Sequence, residues 1–437
     1  MQRQAIDRLI EWKQESNRKP MLIFGMRQVG KTWLMRKFGE ENFKNTVYIN
    51  FDNEPHKKRI FEKDLNTDRI IEALGFEAQT KINPADTLII FDELQECPRA
   101  FTSLKYFCED APQYHIVAAG SLLGVAQHQG TGFPVGKVDM MTLRPMTFLE
   151  FLEALDMKNF ADLIKNKDFS NIEIFKDKFI EYLKKYFYVG GMPQAISAYK
   201  ETQDLFEVRR VQETIIAAYY GDFSKHIPDK EVARVRLIWD SLPNQLAKEN
   251  KRFLYSDMRD GSRGRNYEIA LQWLLDAGLI YKINRVSLPN LPLIAYFQPN
   301  IFKLFIPDIG LLSARARLDL QSYTDTDEKV FNHYKGALSE KFILQELIAT
   351  DAHLPIYYWA NDKNTAEIDF VIQYENEIIP IEVKSEDNVK SISLKNYIKD
   401  FSPNTAIRSS LLDYKKNKGF FDIPLYMISE FRGIIKL

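Results

Sequence analysis

The chain has little cysteine: Cys97 and Cys108 are the only two in 437 residues. That excludes a disulfide framework and a zinc cluster, and it suits a reducing compartment, so a cytoplasmic protein is expected. Long hydrophobic runs are missing too. None approaches the eighteen or so apolar residues of a membrane-spanning helix, so no membrane span is expected. The first residues, MQRQAIDRLIEWKQES, are polar and amphipathic and lack the apolar stretch of a signal peptide. Excess charge of one sign is also absent. Lys and Arg number 59 against 60 Asp and Glu, a formal net charge of -1. Any nucleic-acid surface must then be a local patch offset by acid elsewhere. No repeat or low-complexity tract interrupts the chain. What remains is an ordinary globular composition, 45% apolar and 27% charged. At this length two or three domains are expected.

The first third alternates strand and helix patterns. MLIFG (21–25), VYINF (47–51), TLIIF (87–91) and YHIVAAG (114–120) are short apolar runs of the kind that form parallel strands covered on both faces. A fifth strand is expected around Gly136–Leu143, before Pro145. The fold class is α/β, a doubly wound parallel sheet of the P-loop NTPase kind. The pattern then turns helical, and Gly190, Gly191 and Pro193 form a strong helix stop. The expected organisation is a P-loop domain over 1–145 and a helical region over 146–228. A winged-helix-like segment over 229–290 and an α+β domain over 291–437 follow. Residues 314–330 read as a linker or loop.

FGMRQVGKT (24–32) fits G-x-x-x-x-G-K-[ST] at Gly25, Gly30, Lys31 and Thr32. An apolar strand leads in and a helical pattern leads out, as the mechanism requires. Glycines let the backbone wrap a phosphate, and successive N–H groups aim at it from the helix N-terminus. Gly25, Gln28, Val29, Gly30, Lys31, Thr32 and Trp33 are the expected nucleotide-binding residues. Lys31 reaches the β- and γ-phosphates, and the Thr32 hydroxyl ligates Mg²⁺. A tight glycine turn between strand and helix is the bland alternative. LIIFDE (88–93) supplies the partner carboxylates: Asp92 holds Mg²⁺ with ATP, and Glu93 polarises the attacking water. A Glu in that second position favours hydrolysis. Ser121, after the next strand, is the expected sensor of the γ-phosphate, with an ordinary strand-end serine as its alternative. Lys137, Arg144 and Arg99 are candidates for a positive charge offered to a neighbour's nucleotide.

GMRQVGKT, FDELQECPRAFTSLKYF, FPVGKVDMMTLRPMTFLEFL and YFYVGGMPQAI together resemble a family of bacterial and archaeal AAA-like ATPases. In that family a P-loop domain precedes a C-terminal domain of uncharacterised function, and the resemblance spans most of the chain. It implies ATP binding and hydrolysis by the N-terminal domain and a tail with winged-helix and restriction-endonuclease-like parts. One departure is Lys137, which stands where Arg is more often expected and puts an arginine-finger role there in doubt.

KRFLYSDMRDGSRGRNYEIALQWLLDAGLIYKI (251–283) fits a small helical DNA reader. Residues 251–265 hold five Lys or Arg against two Asp. A helix is expected from Asn266 to Ala277, burying Ile269, Leu271, Trp273 and Leu274 in part and ending at Gly278. Arg263 and Arg265 lie at its start, where they can touch phosphates. A packing or nucleotide-sensing role is the alternative.

Near the C-terminus, EIDFVIQYENEIIPIEVKS (367–385) reads as two strands and a turn. Residues i and i+2 share a strand face, so Glu382 and Lys384 point together. A two-residue turn at Glu375–Asn376 sets Asp369 opposite Glu382, about 5 Å apart, and a three-residue loop puts them on opposite faces. Glu340 sits among Ala337, Ile343, Leu344 and Leu347 on an apolar helix face, and a buried carboxylate wants a partner. The order resembles the PD-(D/E)xK nuclease superfamily. The resemblance makes Glu340, Asp369 and Glu382 candidate ligands of a second Mg²⁺, with Lys384 beside the reacting water. Charged residues alternating along an edge strand are the alternative. The expected function is Mg²⁺-dependent ATP binding and hydrolysis coupled to nucleic acid, with a candidate C-terminal nuclease. The alternative is an ATP switch that recruits a protein partner through a non-catalytic tail. Expected partners are ATP, with DNA and further copies of the chain as candidates, and no membrane.

Overall fold

Four short apolar runs and the segment before Pro145 become the five strands of a parallel sheet. In the computed structural model they are β1 (Met21–Phe24), β2 (Asn45–Asn50), β3 (Thr87–Asp92), β4 (His115–Ala119) and β5 (Asp139–Thr142). Both β3 and β4 are buried along their whole length. The described residues are all but 1–2, 53, 121–133, 135, 249–250, 260, 262, 319–328, 352, 362–364 and 386–390. They form two units, Gln2–Arg144 with Trp273–Leu279, and Pro145–Gln272 with Ile280–Leu437. Among the described residues no helix is long and apolar enough to cross a membrane.

In the first unit the strand order is β2-β3-β4-β1-β5, and every pairing is parallel. Parallel neighbours need crossovers. The main ones here are α2 (Lys31–Asn42), α3 (Pro55–Glu62) with α4 (Thr67–Glu77), and α5 (Pro98–Asp110). A further helix, α1 (Ala5–Gln14), precedes β1. All six residues of β3 are buried. Phe51, Phe61 and Phe91 meet in tilted or edge-on ring contacts 5.6–5.8 Å apart, within one core that also holds Val47, Ile89 and Leu104. This core fixes the C-terminal ends of β1 and β3, from which the candidate site projects.

The second unit begins as a run of helices. The longest before residue 250 are Leu205–His226 and Asp229–Ala247. The expected helix stop is present: Gly190 has φ +75°, and a Cβ there would lie 2.4 Å from Asp308 Oδ1. The rest of the unit carries an eight-stranded mixed sheet. Its strands are β6 (Tyr281–Val286), β7 (Phe297–Phe305), β8 (Ile356–Ala360), β9 (Glu367–Tyr374), β10 (Glu377–Val383), β11 (Ile407–Ser410), β12 (Lys415–Lys416) and β13 (Phe421–Pro424). They lie in the order β12-β13-β11-β10-β9-β8-β6-β7. Helix Ile392–Phe401 covers part of one face, where Leu394 and Tyr397 join Val286, Trp359, Ile368 and Val371.

Several sequence expectations take a different form. In the segment expected to be winged-helix-like, β6 pairs with β7 and also with β8, so it belongs to the large sheet. The expected boundary at 290 therefore falls between two paired strands of one sheet. Ile269, expected to be buried, is 64% exposed on helix Glu268–Asp276. The expected linker lies mostly outside the described residues, and Ala314 and Arg315 belong to helix Ile309–Arg315.

Candidate functional site

The loop between β1 and α2 is shaped by backbone conformations that side chains resist. Gly25 has φ +148°, and a Cβ on it would come within 2.3 Å of the Leu143 carbonyl oxygen. Gln28 (φ +64°) and Gly30 (φ +97°) are also left-handed, and Gly30 caps α2. The first helical bond runs from the Leu34 N–H to the Gly30 carbonyl, so the N–H groups of Lys31, Thr32 and Trp33 have no partner within the helix. A helix N-terminus with free N–H groups behind a glycine turn suits a phosphate. The loop is braced from below. Arg3 donates to the Val29 carbonyl at 3.1 Å and to the Arg144 carbonyl at 2.6 Å.

Lys31 is buried, and its Nζ donates to the carbonyls of Gly25 (2.7 Å) and Met26 (2.9 Å). Burial pushes its ammonium down to about 8, against the pull of Glu93 and Asp92. Asp92 ends β3 and is 2% exposed. Its Oδ2 accepts from Thr32 Oγ1 at 2.6 Å and from the Tyr48 hydroxyl at 2.8 Å. Its Oδ1 accepts the Glu93 N–H at 3.0 Å. Glu93 follows with φ +52° and accepts from Gln95 Nε2 at 2.5 Å. Burial raises its carboxyl above the usual range, although the Gln95 bond opposes this. Trp33 is 40% exposed, so only its backbone faces the loop's task.

The structure thus brings Lys31, Thr32, Asp92 and Glu93 to one end of the parallel sheet. It also shows residues that sequence reasoning missed: Tyr48, Gln95, Arg3, and Arg36, whose guanidinium stacks 3.9 Å over the Tyr48 ring. Tyr48 reaches Asp92 because β2 lies beside β3 in register, Asn50 opposite Asp92, a pairing that no local sequence signal gives. Ser121 lies outside the described residues. Of the charges considered for a neighbour's nucleotide, Lys137 pairs with Glu109 at 2.9 Å and Arg99 donates to the Phe61 carbonyl at 2.6 Å.

In the second unit, β9 and β10 form a hairpin in which Glu377 pairs with Tyr374 and Ile381 with Phe370. The turn is therefore two residues long, and the next pair in register is Asp369 with Glu382. Glu375 takes φ +54° in that turn. Asp369 Oδ2 accepts the Val383 N–H at 2.8 Å. Burial, and then the charge of Glu340, push its carboxyl up to about 7. Glu382 is 2% exposed, its Oε1 lies 3.2 Å from Lys384 Nζ, and its Oε2 has no hydrogen-bond partner among the described residues.

Glu340, on helix Lys329–Thr350, is buried as its periodicity implies, and its partners are lysines. Lys303 Nζ lies 2.8 Å from Glu340 Oε1 and 2.6 Å from Glu367 Oε1. Lys251 bonds the other oxygen of Glu340. Among the described residues, one set of three acid or imidazole groups has its ligand atoms within 4.8 Å of one another: Glu54, His56 and Glu77, in the first unit. Lys57 already pairs with both of those glutamates. Glu340, Asp369 and Glu382 do not form such a set.

Comparison with known proteins agrees with this geometry in the first unit. A family model described as an AAA domain matches residues 17–152. Models of two domains of unknown function (DUF8612 and DUF4143) match 180–322 and 335–428. No curated protein matches the chain in sequence. Among solved structures, a Walker-type ATPase of Pyrococcus abyssi is 16% identical, covers 72% of this chain and 95% of its own, and has a TM-score of 0.43. The ORC1 protein of Aeropyrum pernix, solved in complex with DNA, is 12% identical, covers 71% and 91%, and has a TM-score of 0.29. The parallel sheet, the glycine loop and the family match together make residues 17–152 an AAA-like P-loop domain.

Proposed function

We propose that the chain binds and hydrolyses ATP with Mg²⁺ at Lys31, Thr32, Asp92 and Glu93, and that nucleotide state sets its grip on nucleic acid. The observation that carries the first half is the 2.6 Å bond between Thr32 Oγ1 and Asp92 Oδ2. It sets the two expected metal-holding oxygens side by side, with Glu93 next in the chain. The loop N–H groups of Gln28 to Trp33 receive phosphate oxygens. Lys31 exchanges its carbonyl partners for phosphate, whose charge keeps the ammonium protonated. Bound Mg²⁺ supplies positive charge against the phosphates. Glu93 takes a proton from the attacking water, a task that suits a carboxylate whose affinity for protons is raised by burial.

The second half rests on Arg259, Arg263 and Arg265, all exposed shortly before helix Glu268–Asp276. Cations placed this way contact phosphates without reading sequence. Fluorescence anisotropy with short duplex and single-stranded DNA tests this, at low and moderate salt and with ATP or ADP present. Binding should weaken steeply with salt and depend on the nucleotide. Absence of binding at low salt sinks the nucleic-acid half and favours a switch that recruits a protein. Both oxygens of Glu340 are held by lysines, which speaks against cleavage at the C-terminal acids.

A further inference from the structure

We propose that Lys303 is the resident cation of the C-terminal acid cluster, its ammonium lying between Glu340 and Glu367 and closing that position to a divalent metal. On β7 the run Phe302–Phe305 is buried, and Lys303 within it has no exposed surface. A lysine there loses its water shell entirely, which is costly unless carboxylates replace the water. Two do so, Glu340 at 2.8 Å and Glu367 at 2.6 Å, and the Tyr358 ring lies 4.8 Å from the ammonium. Glu367 and Asp369 share one face of β9, so the same ammonium faces the strand that carries the expected metal-binding Asp.

Glu340 has no oxygen left over, because Lys251 holds the second one. Mg²⁺ demands oxygens at about 2.0–2.1 Å in near-octahedral array. To supply one, Glu340 has to release an ammonium that cannot diffuse away, since Lys303 is tied to β7 by its own stem. The acids of this cluster therefore hold the module together. Glu340, on helix Lys329–Thr350, and Glu367, on β9, are joined through β7 by one buried charge. The cluster then serves structure, not metal-dependent cutting. This inference is independent of the ATPase reading, since none of these residues belongs to the glycine-loop site.

The test is Mn²⁺ binding followed by electron paramagnetic resonance on the full chain without nucleotide. It compares the native chain, Lys303→Met, and each combined with Asp369→Asn. The native chain should show no Mn²⁺ site that disappears with Asp369→Asn. Lys303→Met should gain one, at least about tenfold tighter than any residual native binding. Sites elsewhere, the glycine loop included, survive Asp369→Asn and so are told apart. An Asp369-dependent site in the native chain overturns the proposal, and so does a folded Lys303→Met that gains none. If Lys303→Met is unfolded alone, millimolar Mn²⁺ should restore its thermal transition by taking over the role of the ammonium. Failure to restore it also overturns the proposal.

Discussion

Thr32 Oγ1 donates to Asp92 Oδ2 at 2.6 Å across sixty residues of chain. Neither residue type alone signals a metal site, since strand-end acids and helix-start threonines are common. Their contact at the mouth of a parallel sheet, with Glu93 following, is what separates a nucleotide site from a turn. Lys31→Ala should abolish nucleotide binding. Glu93→Gln should retain it and lower turnover by about 10²–10⁴-fold, the usual worth of a general base. A fluorescent ATP analogue reads binding, and phosphate release reads turnover. Full turnover in Glu93→Gln removes Glu93 from the proposed role.

Tyr48 shares the same carboxylate oxygen. Its hydroxyl donates to Asp92 Oδ2 at 2.8 Å, and Arg36 stacks on its ring. Tyr48→Phe keeps the ring and the stacking and removes only the donor. A hydrogen bond to a charged group is worth about 1.5–3 kcal/mol, and less where water can replace it, so a loss of about 1 kcal/mol in stability is expected. The carboxylate is also less firmly oriented, so half-saturating Mg²⁺ for ATP turnover should rise about tenfold, as for other outer partners of metal ligands. An unchanged Mg²⁺ dependence would mean that Tyr48 only packs.

A second carboxyl invites a test by pH. Glu346 is buried and accepts the Phe148 N–H at 3.0 Å. Burial pushes its carboxyl up to about 8; the Phe148 bond opposes this, Glu150 adds to it, and the Lys341 ammonium opposes it. The folded chain therefore keeps this proton up to about pH 8, whereas an unfolded glutamate releases it near 4.5. Between those values the folded state holds more protons, so this group's contribution to stability falls as pH rises. The penalty is absent below about 4.5 and complete above about 8, on the order of a few kcal/mol. Glu346→Gln retains an acceptor oxygen and cannot ionise. Its melting temperature should match the native one near pH 5 and exceed it near pH 8.5, the gap widening between. A constant gap would show that Glu346 is not the group that titrates.

The parts legible in the sequence were those set by local pattern. Strands β1, β3 and β4 are largely buried on both faces, so they stand out as apolar runs, whereas the half-exposed β5 is marked mainly by its place before Pro145. The glycine loop was legible because its spacing reflects a backbone mechanism. The even turn at Glu375–Asn376 was legible as a condition, and the pairing of Glu377 with Tyr374 meets it. Glu340 was legible as a buried acid from helical period alone, but its partners were not. Lys303 comes from a strand 37 residues away, and nothing local marks a lysine as buried. β6 reads the same whether it ends a small wing or joins a large sheet, since pairing partners are a tertiary choice. Ile269 carries the same lesson, an apolar residue on a helix that the surroundings leave exposed.

Gly191 and Gly221 make the last prediction, because the same substitution should act in opposite directions. A Cβ on Gly191 would lie 2.2 Å from the Met146 carbonyl oxygen and 2.7 Å from its nitrogen. Both are backbone atoms, and the Met146 N–H already donates to the Gly191 carbonyl at 2.7 Å. The Gly191 N–H donates to buried Asp308 at 2.6 Å, so a shift here also disturbs a buried carboxylate. Gly191→Ala should therefore cost about 2–4 kcal/mol. Gly221 sits inside helix Leu205–His226, and among the described residues nothing lies within 4 Å of a Cβ built on it. Gly221→Ala removes backbone freedom from the unfolded chain and should stabilise by about 0.5–1 kcal/mol. Urea unfolding of both variants beside the native chain reads the two signs. A loss for Gly221→Ala as large as that for Gly191→Ala would show that close backbone approach is not what requires glycine at 191.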